Sequence, residues 1–134
     1  VVFADSSGFI AAFDARDARH QKAARAWRKI VKARERLVTT RLVVAETVTF
    51  FRRRGGWAVS RQVGETILAS DSIEVVALDR SQFDGAWREF VRNPDPKLSL
   101  CDAASFIVMR DLGITRALTF DNHFSQAGFE LATD

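Results

Sequence analysis

The sequence predicts an α/β protein, one domain over residues 1–134, with a mostly parallel central sheet flanked by helices in three layers. Three observations predict it. Four short apolar or β-branched runs, Val1–Ala4, Leu37–Thr40, Ile73–Leu78 and Ile114–Phe120, are separated by stretches of helical period. A helix from Asp102 to Leu112 would run about 16 Å, Gly113 ends it, and Ile114–Phe120 can return roughly 20 Å as a strand, the form of a parallel crossover. The length, 134 residues, suits one domain and one core.

Taken in order, Val1–Ala4 reads as a buried strand ended by Asp5, with Ser6 or Ser7 capping a helix over Phe9–Phe13. Asp17–Ala33 reads as an amphipathic helix. Ala23, Ala24, Trp27, Ile30 and Val31 fall on one arc, and Lys22, Arg25, Lys29, Lys32 and Arg36 fall opposite. That basic stripe is either a solvated face or a track for a phosphate backbone. His20 reads as a surface residue. Leu37–Thr40 is a second strand, after which Arg41–Phe51 fits helix or strand, because Val43, Val44, Thr47, Val48 and Thr49 are β-branched. Arg52–Arg54 followed by Gly55 and Gly56 marks a basic helix end and a break before a helix from Trp57 towards Ser70. Ile73–Leu78 is a strand. Asp79 or Ser81 caps the helix that follows, whose Phe83, Ala86, Trp87, Phe90 and Val91 share an arc expected in the core. Asn93–Lys97, with two prolines, is a linker; Ser99 is placed to cap the helix that Asp102 opens. Phe129–Ala132 can add an edge strand.

Composition excludes several classes. Hydrophobic residues at 47% and charged residues at 28% describe a globular chain, and no apolar run approaches the ~20 residues of a membrane span. Cys101 is alone, which excludes an intramolecular disulfide and a multi-cysteine metal site and suits a reducing cytoplasm. VVFAD reads as structure and not as a secretory leader. The net charge of +3 is unevenly spread, with nine of the 20 basic residues between Arg16 and Arg36 and no lysine or arginine after Arg116. A polyanionic partner fits that flank.

The chemistry sits in the carboxylates. Asp5 and Asp121 each end a strand, where ligands bind in open α/β sheets, and Asp102 starts the helix leading into the last main strand. Each also has a structural reading: Asp5 and Asp121 as turn residues, Asp102 as a first-turn helix residue facing the dipole. On a helix, Glu46 shares a face with Leu42, Val43, Thr49 and Phe50. It would then need a proton, a basic partner or a metal ion, unless it lies on the solvent edge. Four carboxylates brought to one edge without a balancing cation point to metal.

With VVFADSSGFIA, TTRLVVAET, SLCDAASFIVM and ALTFDNHFSQAGF in view, the chain resembles the PIN-domain nucleases over nearly its whole length, most specifically in the last two segments. Matched position by position, that family's acidic residues fall on Asp5, Glu46, Asp102 and Asp121, and its supporting polar position on Ser7. The small size and the TFDNHF ending look most like VapC-type toxins of bacterial toxin–antitoxin pairs. Asn122 departs from relatives that carry a further acidic residue near this point.

The resemblance implies metal-dependent hydrolysis of RNA, with Mg²⁺ or Mn²⁺ held by the four carboxylates, Lys22, Arg25, Lys29 and Lys32 as a candidate RNA contact, a cognate antitoxin, a homodimer and no membrane. Hard oxygen donors suit those ions, which activate water and stabilise a leaving oxygen, and no side-chain nucleophile is then required. His123 offers no alternative chemistry in sequence, and neither a Ser-His-Asp order nor a Gly-rich phosphate loop is present. A phosphatase of the haloacid dehalogenase type would need an aspartate where Ser7 stands. A receiver domain would need a lysine on the late strand ITRALTF. The remaining alternatives are a housekeeping RNA-processing nuclease and a PIN fold that binds RNA or protein without cutting, and the four carboxylates count against the last.

Overall fold

The computed structural model describes residues 1–134 and forms a five-stranded, all-parallel sheet of order β3-β2-β1-β4-β5. The strands are β1 (Val2–Ala4), β2 (Leu37–Thr40), β3 (Ile73–Val76), β4 (Arg116–Leu118) and β5 (Glu130–Leu131). Between them run α1 (Ser6–Phe13), α2 (His20–Lys32), α3 (Arg41–Leu68), α4 (Arg80–Arg92), α5 (Leu100–Asp111) and α6 (Asn122–Gln126). Right-handed crossovers put α1 to α3 on one face and α4 to α6 on the other, and the packing of α1 on α2 and α3, and of α5 on α4 and α6, agrees. This is the three-layer α/β/α arrangement expected from the sequence.

The central strands are buried on both faces, which is why they read as unbroken apolar runs. Val2, Phe3, Leu118, Phe9, Phe106 and Phe124 anchor the core around them. Because β1 is followed by β2 on one side and paired with β4 on the other, the order in which strands are added reverses beside β1. A crevice opens at such a point, outside the carboxyl ends of β1 and β4.

The structure settles the alternatives left open and corrects several expectations. Arg41–Phe51 is helical: Val43, Val44, Thr47 and Phe51 recur at helical period on the buried face, Thr40 accepts the Val43 N–H at the N-cap, and Thr47 returns its hydroxyl to the Val43 carbonyl. The break is at Gly56, whose φ of 87° lies where only glycine is unstrained. The first helix starts at Ser6, three residues before the expected start. Asp5 takes the N-cap position there, and neither serine caps it. The second starts at His20, because Asp17 instead accepts the Arg19 N–H in a turn. His20 is half-buried, bonded to the Ala11 carbonyl. Asp79, with Gln82, supplies the cap of α4. The third and last strands stop short at Val76 and Leu131, and the fourth spans only Arg116–Leu118. Beyond Leu118 the N–H groups of Phe120 and Asp121 donate to the hydroxyls of Ser7 and Thr119 and not to a strand. The α4 aromatics are not core: Ala86 and Phe90 face α5, while Phe83, Trp87 and Val91 are exposed.

Candidate active site

Asp5 sits in the crevice because β1 delivers it there and α1 closes down beside it. Its N–H donates to the Leu118 carbonyl, the last rung between β1 and β4, and its own carbonyl accepts the Phe9 N–H to begin α1. The approach is close enough that a Cβ on Gly8 would collide with the Leu118 carbonyl oxygen. Asp5 is 2% exposed. Its Oδ2 accepts hydrogen bonds from the Ser7 and Thr119 hydroxyls, both at 3.0 Å. Each hydroxyl has one proton, so with both donated to Asp5 the 3.1 Å contact between the two oxygens is not a further bond. Oδ1 of Asp5 is buried with no partner at all. Burial, reinforced by the charge of Asp102, raises the Asp5 carboxyl from 3.8 to about 6.

Asp102 occupies the first turn of α5 and is both a capping residue and a site residue. Ser99 Oγ accepts the Asp102 N–H at 2.9 Å, the cap that its spacing suggested, and Asp102 Oδ2 returns the bond by accepting the Ser99 N–H at 3.0 Å. The carboxyl is raised by burial, with the charges of Asp121 and Glu46 adding to it. Asp102 is thus opposed by the charges of Asp121 and Glu46, and Asp5 by that of Asp102. Glu46 is exposed on α3, which settles the alternatives for it in favour of the solvent edge, and its Oε1 lies 2.5 Å from the donating Ser6 hydroxyl. Asp121 caps α6, accepting the His123 N–H at 2.9 Å. Asn122 beside it is exposed. Of the four carboxylates singled out in the sequence, Asp102 and Asp121 come within 4.8 Å of one another, while Asp5, with Ser7 beside it, and exposed Glu46 lie near enough to act on the Asp102 site through charge.

Two residues escaped sequence reasoning. Thr119 was hidden as the polar end of an apolar run. His123 lies with Nδ1 2.7 Å from Asp121 Oδ1 and Nε2 2.8 Å from Asp95 Oδ2. Both contacts, that to Asp95 first, raise its basicity. Asp102, Asp121 and His123 offer ligand atoms within 4.8 Å of one another. Cys101 borders the group, but burial and then the neighbouring carboxylates push its thiol far up, which excludes a thiolate nucleophile.

None of the basic stripe of α2 lines the groove that holds Glu46. His20 begins α2 at the carboxyl edge of the sheet, and the helix runs towards Leu37, at the opposite edge. Lys22, Arg25 and Lys29 line a depression with Thr133, which bonds the Thr119 carbonyl from behind the site. Lys32 is farther away still, one turn on.

A three-layer α/β/α fold with a parallel sheet and acidic residues near its switch point belongs to the open α/β proteins that bind ligands outside the carboxyl ends of their strands. The model of the PIN domain matches residues 2–130, and the chain belongs to that family. It is 35% identical over 129 residues to the 23S rRNA-specific endonuclease VapC20 of Mycobacterium tuberculosis, in strains CDC 1551 and H37Rv alike, covering 96% of this chain and 95% of that protein. The crystal structure of Mycobacterium tuberculosis VapC20, described as a sarcin-ricin loop cleaving toxin, superposes with a TM-score of 0.87 at 34% identity over 96% of each chain.

Proposed function

We propose that this protein is a divalent-metal-dependent endoribonuclease, the toxin of a VapBC-type pair, with Asp5, Glu46, Asp102 and Asp121 as its catalytic carboxylates. The observation that carries the reading is the buried Oδ1 of Asp5, which has acidic neighbours and no side-chain cation against it. An ionised oxygen so placed is uncompensated unless a proton or cation lies against it. Oxygen donors of this kind fit Mg²⁺ or Mn²⁺.

Asp5, Asp102 and Asp121 would hold the ion, with exposed Glu46 at the mouth of the crevice. When bound, the ion supplies an activated water and neutralises charge developing on the phosphate. Ser7 and Thr119 occupy one oxygen of Asp5 and so present the other. His123 does the same for Asp121. The chain itself provides no covalent nucleophile and needs none.

The substrate of VapC20 makes the sarcin-ricin loop of 23S rRNA the first RNA to test. A cognate antitoxin and a second copy of this chain are the proposed partners, and the exposed Phe83, Trp87 and Val91 offer apolar surface for one of them. No helix is long and apolar enough to cross a membrane; the cytoplasm, where an rRNA substrate would be met, is the proposed location. Incubating end-labelled loop RNA with the protein should give cleavage with Mg²⁺ or Mn²⁺ and none with chelator. Failure to cut any RNA with either ion would overturn the reading.

A further inference from the structure

An acidic crevice repels a polyanion, so an RNA-cutting site needs cations close by to hold the strand against it. The α2 stripe runs away from the crevice, and α3 carries the better-placed charges. Glu46, Thr49, Phe50, Arg53 and Arg54 follow one another at helical spacings of three, four, seven and eight residues, and they line one open groove. The groove therefore starts at a site carboxylate and ends at two arginines about 10 Å further along the helix axis.

The two arginines differ. Arg54 is held in place, 3.5 Å from Asp14 and stacked 5.8 Å from the centre of the Phe50 ring. Arg53 is exposed and has neither a carboxylate nor an aromatic partner, so its charge is available. From Arg54 the basic rim continues through the turn after α1. Arg19, bonded to Asp17, lies 5.0 Å over the ring of Phe120, the residue before Asp121.

We infer that this α3 groove is the RNA track of the site: Arg53 and Arg54 hold backbone phosphates flanking the scissile bond, with Phe50 as an apolar floor between them and Glu46. The inference rests on the nuclease reading above and names where its substrate lies. A flexible arginine over an exposed groove fits a backbone held by charge, with no demand on base sequence. The Arg19–Phe120 pair offers a flat face on which a neighbouring base can stack.

The test is steady-state cleavage of labelled loop RNA in Mn²⁺ over a range of NaCl concentrations. It compares wild type, Arg53→Glu, Arg52→Glu and the α2 variant Lys29→Glu. Arg52 carries the same charge one residue away but does not line the groove, and Arg53 makes no contact whose loss would unfold the chain. Thermal melts of all four should coincide. Arg53→Glu is expected to raise KM several-fold with kcat retained and to flatten the salt dependence by about 0.7 in log–log slope, the value of one single-strand phosphate contact. The two control variants should stay within twofold of wild type. Normal KM and salt slope for Arg53→Glu overturn the track, as does a larger effect from Lys29→Glu. Loss of the parent reading is separately visible, because then wild type itself cuts nothing.

Discussion

His123 Nδ1 lies 2.7 Å from Asp121 Oδ1, and the same ring carries Nε2 to within 2.8 Å of Asp95 Oδ2. An ionised carboxylate only accepts, so two such partners favour the doubly protonated ring, and both contacts raise its basicity. The ring pins one oxygen of Asp121 and ties the Asn93–Lys97 linker, which leads into the Asp102 helix, to the turn after β4. His123→Gln and Asp95→Asn should therefore weaken Mn²⁺ binding measured by titration calorimetry, by roughly 10- to 100-fold for groups that orient a ligand. The double variant should lose less than the sum of the two, since both act through one chain of contacts. Simple additivity, or unchanged Mn²⁺ affinity, would show that the ring does not position Asp121.

Much of this site was legible in the sequence, because local chemistry and global position agree there. Asp5 ends a strand whose three residues are all buried, and such a run permits few other assignments. Ser99 and Asp102 are a local pair, readable at three-residue spacing. What escaped was non-local. Phe120 donates to a hydroxyl 113 residues earlier, so the strand ending at Leu118 could not be told from a longer one. Asp95 and His123 lie 28 residues apart in unrelated patterns. The arc of Phe83, Trp87 and Val91 is wider than the strip α5 covers, and periodicity cannot say which edge of an arc is left outside.

Metal-free stability should fall as pH rises across the acid range. The Asp5 carboxyl is raised in the folded state, so the native protein binds the proton more tightly than the unfolded chain between 3.8 and about 6. The contribution of Asp5 is fully present below that window and declines through it, by on the order of 2–3 kcal/mol, whereas Asp14, Asp17, Glu35 and Asp95, all lowered, lose theirs only as pH falls further. His123, also raised, keeps its contribution below its ordinary value of 6.5 and loses it as pH climbs through the higher folded value, the same direction. Urea melts in chelator at a series of pH values measure this, and Asp5→Asn should flatten the lower part of the curve. A wild-type curve that rises between pH 4 and 6 would contradict the burial argument.

Gly8→Ala should damage fold and site together. The added methyl meets the Leu118 backbone carbonyl, which no rotamer change can move aside, so α1 must lift away from the end of β4. Overpacking of that kind costs about 1–3 kcal/mol, and it displaces Ser7, whose hydroxyl joins Asp5 to the Phe120 N–H. Melting temperature and cleavage should both drop. Gly56→Ala is the contrast: its surroundings are open but its φ is positive, so strain lowers stability while the distant crevice keeps its rate.

Neutralising the carboxylates should separate catalysis from stability. In Asp5→Asn, Asp102→Asn and Asp121→Asn each amide keeps an oxygen able to accept, so the Ser99 cap on α5 and the His123 bond can survive. Each change also removes a charge from a cluster in which Asp102 is opposed by Asp121 and Glu46, and Asp5 by Asp102. Without metal these variants should melt no lower than wild type, and the stabilisation gained from added Mg²⁺ should shrink, since binding to the native state alone is what raises stability. Glu46→Gln should follow in cleavage but change the melt least, because its side chain is exposed and its charge already screened. If the four were only caps and turn formers, each variant would instead lose about 0.5 to 2 kcal/mol and still cut RNA. Thermal melts with and without Mg²⁺, run beside a labelled-RNA assay, give opposite signs for the two accounts, and full cleavage by any two of the four variants would remove the carboxylates from the chemistry.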